Sequence, residues 1–221
     1  MVLIDNMKEL DKLNVEFIKS KEKIAKLFRD KHSSQNKDER LFAGQYLTEK
    51  FPVLDLGIQP DFDPKTWKLE VVGEVFEPKS FSYQDILKMP RTDLSKDFHC
   101  VTKWSKYDVK WSGISWNDFL KYVKVKPSSK AVMFYGADGY STNNLLSDLE
   151  NDSTLLAYLL ESKPITKEHG WPMRVIIPHL YAWKGSKFLN KIEFMKENKP
   201  GFWEVRGYHL RGDAKLEERY S

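Results

Sequence analysis

Cys100 is the only cysteine among the 221 residues, and it stands in Asp97-Phe-His-Cys-Val-Thr-Lys103 directly after a histidine. Three roles suit such a thiol: a nucleophile served by a base, a small buried hydrophobe, or a soft ligand to a metal whose other ligands are not protein atoms. Adjacent residues in a strand point to opposite faces, so His99 is a poor base for its neighbour. His169, His179 and His209 are the alternatives. A lone cysteine excludes an internal disulfide and any cysteine-rich zinc or iron–sulfur site.

A second group of chemically able residues runs from His169 to Lys187. Met173 to Ile177 has the β-branched, apolar character of a core strand, fenced by Pro172 and Pro178, and Arg174 interrupts it. An arginine in a core strand calls for a fixed negative charge beside it. Beyond Pro178 the aromatic loop Tyr181-Ala-Trp183 leads into Lys184-Gly-Ser-Lys187, where glycine lets the backbone close on a ligand with a lysine on either side. Such a cradle suits a phosphate or an electron-rich ring system. It favours the metal-ligand role for Cys100. The run Gly201 to Asp213 adds further aromatic and cationic groups.

The elements that must position these groups are short. Leu10, Leu13, Phe17, Ile24 and Leu27 predict an amphipathic helix over Met7 to Lys31, and the polar run His32 to Glu39 ends it as a linker. Residues 1–40 are thus expected to stand apart from a domain over residues 41–221. Leu41 to Gly57 reads as an ordered loop, and Trp67 to Val75 alternates as a half-buried strand. A serine-capped helix is expected before Pro90, another over Trp111 to Val123 started near Ser112 or Ser115, a strand at Ala131 to Tyr135 and a leucine-rich helix within Leu145 to Leu160. Cys100 is expected at a strand end near the edge of the domain. Short strands, short helices and long ordered loops with no regular βαβ period predict an α+β fold.

Composition narrows the partners. With 41% hydrophobic residues the chain can bury a substantial core. A net charge of +4 is too mild to require nucleic acid, though it suits a small anionic ligand. No stretch reaches the length of a membrane span. An aspartate at position 5 comes too early for a secretion signal, and no twin arginine precedes it, so a cytoplasmic protein is expected.

Taken together, Asp97 to Lys103, His169-Gly-Trp-Pro-Met-Arg174, Lys184-Gly-Ser-Lys187-Phe-Leu-Asn-Lys-Ile-Glu193 and Phe202-Trp-Glu-Val-Arg-Gly-Tyr208 resemble the molybdopterin-binding domain of the sulfite oxidase family. The likeness runs from about Gly44 to the C-terminus and is closest in style to small bacterial and archaeal sulfite-oxidase-like oxidoreductases. It implies a mixed-sheet α+β fold with short helices and a molybdenum–molybdopterin cofactor whose metal is ligated by Cys100. His169 and Arg174 would hold the pterin and its phosphate, with Tyr181, Gly185, Ser186 and Lys187 completing the cradle. Glu49, Lys50 and Phe51 fall where the family's early loop meets the cofactor. Tyr208, with Arg206 or Lys103, would face the substrate.

The implied activity is oxygen-atom transfer to or from a small sulfur oxo-compound, sulfite-like or sulfoxide-like. The arginines that follow the ligand cysteine in animal and plant sulfite oxidases are replaced by Val101-Thr-Lys103-Trp104, which counts against sulfite itself. The length leaves no room for the family's haem or immunoglobulin-like dimerisation domains, so electrons are expected to pass to a separate, unidentified partner. The oligomeric state stays open. Two other readings remain: a molybdopterin carrier or redox subunit without catalysis of its own, and a cofactor-free module in which Cys100 only packs the core.

Overall fold

Apolar and polar side chains alternate from Trp67, and the chain there forms a strand in which Leu69 and Val71 are buried while Lys68 and Glu70 face solvent. The computed structural model describes residues 38–221 and, ahead of them, Lys19 alone. The expected helix over Met7 to Lys31 and its linker lie outside the described residues.

Among the described residues the strands form two sheets. One contains β1 (Tyr46–Leu47), β4 (Thr92–His99), β5 (Trp104–Ser115), β8 (Leu155–Leu160), β9 (Lys163–Pro164) and β10 (Arg174–Ile176). The other contains β2 (Lys68–Gly73), β3 (Lys79–Ser82), β6 (Ala131–Gly136), β7 (Ser141–Leu145) and β11 (Leu189–Met195). The first sheet runs β1-β5-β8-β10 with β4 beside β5 and β9 beside β8; the second runs β3-β2-β11-β6-β7. Only the β1–β5 and β2–β11 pairs are parallel among these. With short helices at the sheet ends, this is the expected α+β architecture. No helix among the described residues is long and apolar enough to cross a membrane.

A large apolar core includes Leu69 and Ile192 from the second sheet and Ile114, Leu156 and Val175 from the first. A second cluster holds Phe98, Cys100, Trp111, Ala157, Ile176, Trp183 and Tyr208. The pleat decides which residues join it. In β10, Val175 pairs with Leu156 and faces the large core, so Arg174 and Ile176 point the opposite way, with Arg174 opposite the small Ala157.

Two expected helices are corrected. Trp111 to Ser115 belongs to β5, and of the two expected starts the helix takes Ser115, whose hydroxyl accepts from the Asp118 amide at 3.1 Å. The Leu155–Leu160 run is β8, while the helix before it spans only Leu146–Leu149. β8 lies in the interior of its sheet between β5 and β10, and its first four residues are buried on both faces, so its apolar run shows no period to separate strand from helix. The serine-capped helix before Pro90 is present as Tyr83–Lys88, with Ser82 and Asp85 forming a reciprocal capping box.

Candidate active site

Cys100 follows the end of β4, at a strand end as expected, in the tight turn that joins β4 to β5. The Cys100 amide donates to the Trp104 carbonyl at 2.9 Å, and its own carbonyl accepts from the Lys103 amide at 3.1 Å and from the Gln45 side chain at 3.0 Å. β1 supports the same turn, since the Tyr46 amide donates to the Lys103 carbonyl at 2.8 Å. The residue is 4% exposed, and its sulfur sits 3.2 Å from the Thr102 hydroxyl. His99 turns the other way, with its ring 2.8 Å from the Ser105 hydroxyl and stacked on Phe42. Burial holds its pKa down to about 4.

The thiol opens on a cavity of about 360 Å³ that is also lined by Phe51, His169, Arg174, Gly185, Lys187 and Tyr208. A volume of this size suits a small cofactor or ligand. Arg174 is 4% exposed, and one of its terminal nitrogens donates to the His169 carbonyl at 3.0 Å. Its guanidinium lies 5.4 Å from the Phe98 ring and 5.2 Å from the Trp111 ring. No carboxylate among the described residues pairs with it, and its Nε has no hydrogen-bond partner. Burial alone brings its pKa down to about 10. Two aromatic faces recover only part of what such a buried charge costs.

Lys187 donates to the Glu168 carbonyl at 2.7 Å and lies 3.6 Å from an oxygen of Asp55. Burial, then the nearby Arg174 charge, lowers its pKa to about 8 against the opposing pull of Asp55 and Asp138. Its stem passes close over Gly170, where a Cβ would come within 2.9 Å of the lysine Cβ; the backbone there has φ +107°. Glycine meets both demands. The His169 ring leans on Phe51 at 4.6 Å, and burial with Arg174 nearby lowers its pKa to about 4, leaving it neutral at pH 7. Gly185 lines the cavity, yet its missing Cβ is required by the Val175 carbonyl, which would lie 2.2 Å away. Tyr208 completes one wall, edge-on to Trp183 at 5.2 Å and stacked on Trp203 at 5.0 Å.

Other expected residues lie outside the cavity lining. Glu49 and Lys50 are exposed, and the Glu49 carbonyl accepts from Lys106. Lys103 serves the turn with φ +72°. Arg206 is exposed and folds over the Phe202 ring at 3.8 Å, donating to the Phe202 carbonyl. Tyr181 is buried behind the wall, stacked on Trp183. Ser186 is fully buried and donates to the Lys187 carbonyl at 3.1 Å. The two lysines of the loop also part company, because Lys184 is fully buried and forms a 2.6 Å ion pair with Glu204.

Among the lining residues that sequence reading missed, three carry polar groups close to the sulfur or to Lys187. Thr102 is brought back to the sulfur by the turn, a proximity its two-residue spacing from Cys100 signals. Asp55 sits in the ordered loop, and Asp138 stands in the Gly136–Gly139 turn, where an aspartate reads as turn chemistry. Burial pushes the Asp138 carboxyl up to about 7, partly offset by the Tyr140 amide and the Lys187 charge.

Among the described residues no three His, Cys, Asp or Glu side chains converge on a metal position. A metal here would therefore have to bring most of its ligands with it, with Cys100 as the soft protein donor.

The chain is similar to known molybdopterin-binding proteins. Residues 56–203 match the model of the oxidoreductase molybdopterin binding domain. The chain is 41% identical over 183 residues to an uncharacterized oxidoreductase, YuiH, of Bacillus subtilis, covering 82% of this chain and 92% of that protein. It is 28% identical over 177 residues to the protein-methionine-sulfoxide reductase catalytic subunit MsrP of Campylobacter jejuni, covering 72% of this chain and 59% of the relative. The fold is similar to the sulfane dehydrogenase SoxCD from Paracoccus pantotrophus, with a TM-score of 0.56 and 20% identity over 63% of this chain and 40% of that one. A molybdopterin-binding match over two thirds of the residues, on a fold of this type, places the chain in the sulfite oxidase family of molybdopterin-binding oxidoreductases.

Proposed function

We propose that the chain catalyses oxygen-atom transfer to or from a small, neutral sulfur oxo-compound, with Cys100 as the protein ligand to the molybdenum of molybdopterin. The observation that carries this reading is the convergence on one cavity of the thiol of Cys100 with Arg174 and Lys187, from distant parts of the sequence. The residues fit the cofactor on their own chemistry. Arg174 carries a buried charge without a counter-ion and an Nε without a partner, both of which an anionic group would complete.

When bound, the cofactor would supply a metal able to accept an oxygen atom while giving up two electrons, or to donate one while taking up two. Reduction of a sulfoxide consumes two electrons and two protons and releases the oxygen as water; oxidation runs in reverse. Arg174 offers a planar donor fork and Lys187 a compact point charge to the phosphate end. His169, neutral at pH 7, offers ring nitrogens for hydrogen bonding instead of charge. Phe51, Trp183 and Tyr208 form an aromatic wall that excludes water and leaves an apolar bay for the substrate.

The turn that carries Cys100 supports a neutral substrate. Val101, Thr102 and Trp104 line the cavity, and Lys103 does not, so no cation of this turn is in position to receive an anion. The methionine-sulfoxide reductase relatives point the same way. A separate electron-transfer partner and a cytoplasmic setting belong to this proposal.

The test is metal and pterin analysis of the purified holoprotein, followed by turnover of sulfite and a panel of sulfoxides with an artificial electron mediator. Cys100→Ala is expected to keep its fold and abolish turnover. Full activity in that variant, or faster turnover of sulfite than of any sulfoxide, would overturn the assignment.

A further inference from the structure

Asp138 is a buried carboxyl inside the cofactor cavity that the proposed reaction leaves unused. It stands between β6 and β7 in the Gly136–Gly139 turn and accepts from the Tyr140 amide at 3.2 Å. A Cβ on Gly136 would come within 2.4 Å of an Asp138 carboxyl oxygen, 2.5 Å of the Lys187 carbonyl oxygen and 3.1 Å of the Ser186 hydroxyl. Glycine at this position lets the carboxyl and the Lys187 backbone meet around one point.

The charged groups that face Asp138 directly, Lys187 and Asp55, come from two other segments. Lys187 lies on the loop after β10, Asp55 on the loop after β1, and Asp138 on its own turn; Arg174 acts on the cluster from β10 through Lys187. Tyr140 is neutral, with its hydroxyl given to the Trp183 carbonyl. Burial works to raise the Asp55 carboxyl, but hydrogen bonds from Gln59 and Gly57 and the charge of Lys187 carry it below its ordinary value. With both carboxylates ionised, two cations face two anions. A phosphate monoester brings nearly two further negative charges into this group. An ionised Asp138 would then sit in low dielectric beside a like charge, whereas a protonated one adds no repulsion and can donate its O–H to a phosphate oxygen.

We propose that Asp138 takes up one proton from solvent when the anionic end of molybdopterin seats against Lys187, so that cofactor retention is linked to pH through this carboxyl. The inference rests on the reading that Lys187 holds the phosphate. The buried carboxyl already titrates close to neutral pH, which places the linkage in a range that can be measured.

The experiment follows holoprotein incubated between pH 6 and pH 8, gel-filtered, and assayed for molybdenum and released pterin. That window stays at or below the point where Lys187 itself loses charge. Wild type is expected to release cofactor faster as pH rises from 7 to 8, by about fivefold for one linked proton on a carboxyl that titrates near 7. Asp138→Asn should retain it at pH 8 as wild type does at pH 6. If Asp138→Asn loses cofactor with the wild-type pH profile while Lys187→Ala releases it at every pH, the proton linkage is wrong and the phosphate site stands. If Lys187→Ala retains cofactor like wild type, the phosphate site itself is wrong. Should the Asn variant not fold, infrared spectra of wild-type holoprotein at pH 8 decide. A protonated-carboxyl stretch beyond that of the apoprotein supports the proposal, and no such band overturns it.

Discussion

The sulfur of Cys100 lies 3.2 Å from the hydroxyl oxygen of Thr102 across a tight turn. Once the thiol is ionised, that hydroxyl donates to the sulfur and stabilises the thiolate. Thr102→Val removes the donor at nearly constant shape, so the thiol pKa of the apoprotein should rise by about one pH unit. Because the chain has a single cysteine, the pH dependence of iodoacetamide alkylation reads that thiol alone. Thr102→Ser should restore the wild-type profile. An unchanged profile in the valine variant would show that the contact carries no weight.

Arg174→Met should move stability and cofactor binding in opposite directions. Removing a buried charge that has no counter-ion should stabilise the apoprotein by on the order of 2 kcal/mol, seen as a Tm higher by roughly 5 °C. The same variant should come through gel filtration without molybdenum. A fall in both quantities would mark Arg174 as a structural residue.

Asp138 makes stability depend on pH in a definite sense. Its carboxyl is raised to about 7 in the fold, so between the ordinary aspartate value and pH 7 the native state holds a proton that the unfolded chain has lost. Stability therefore falls as pH rises through that window, and the full penalty is present above it. Urea unfolding of apoprotein should show Asp138→Asn equal to wild type near pH 4 and more stable at pH 8, by on the order of 3 kcal/mol. His99 and His169, both lowered to about 4, contribute with the opposite sign, and the difference between variants cancels them. A gap of the same size at both pH values would contradict the assignment.

The Lys184–Glu204 pair should be unforgiving to single changes. Lys184 also donates to Asn143 and to the Leu210 carbonyl, and Glu204 accepts from Trp183 Nε1 at 3.3 Å. Glu204→Leu strands a buried ammonium and should cost about 3 to 5 kcal/mol. Adding Lys184→Met should recover much of that loss, giving a strongly non-additive cycle in chemical denaturation. Equal, additive losses would mean the pair is worth little beyond its packing.

The chemistry of the cavity was more legible than its boundaries. Arg174 could be found because a cation inside a Met-Arg-Val-Ile-Ile run conflicts with its surroundings, and the conflict itself marks a site. Cys100 could be found because it is alone. Lys184 and Lys187 look equivalent in sequence, and only the short 3₁₀ turn at Ala182–Lys184 sends the first toward Glu204 and the second into the cavity. Asp138 was hidden because an aspartate between glycines has a sufficient local explanation as a turn residue. For the same kind of reason the Thr154–Leu160 run read as a helix: buried on both faces over most of its length, it shows no alternation to betray a strand.

Arg174 has a consequence beyond binding. A guanidinium that meets no anion among the described residues weakens the chain whenever no ligand completes it, and an occupied cavity gains in stability what the bare one lacks. Cells short of the cofactor should then hold less of this protein even at constant synthesis, because the unliganded form opens more often to proteases. Cofactor supply would set the amount of enzyme through turnover of the polypeptide itself.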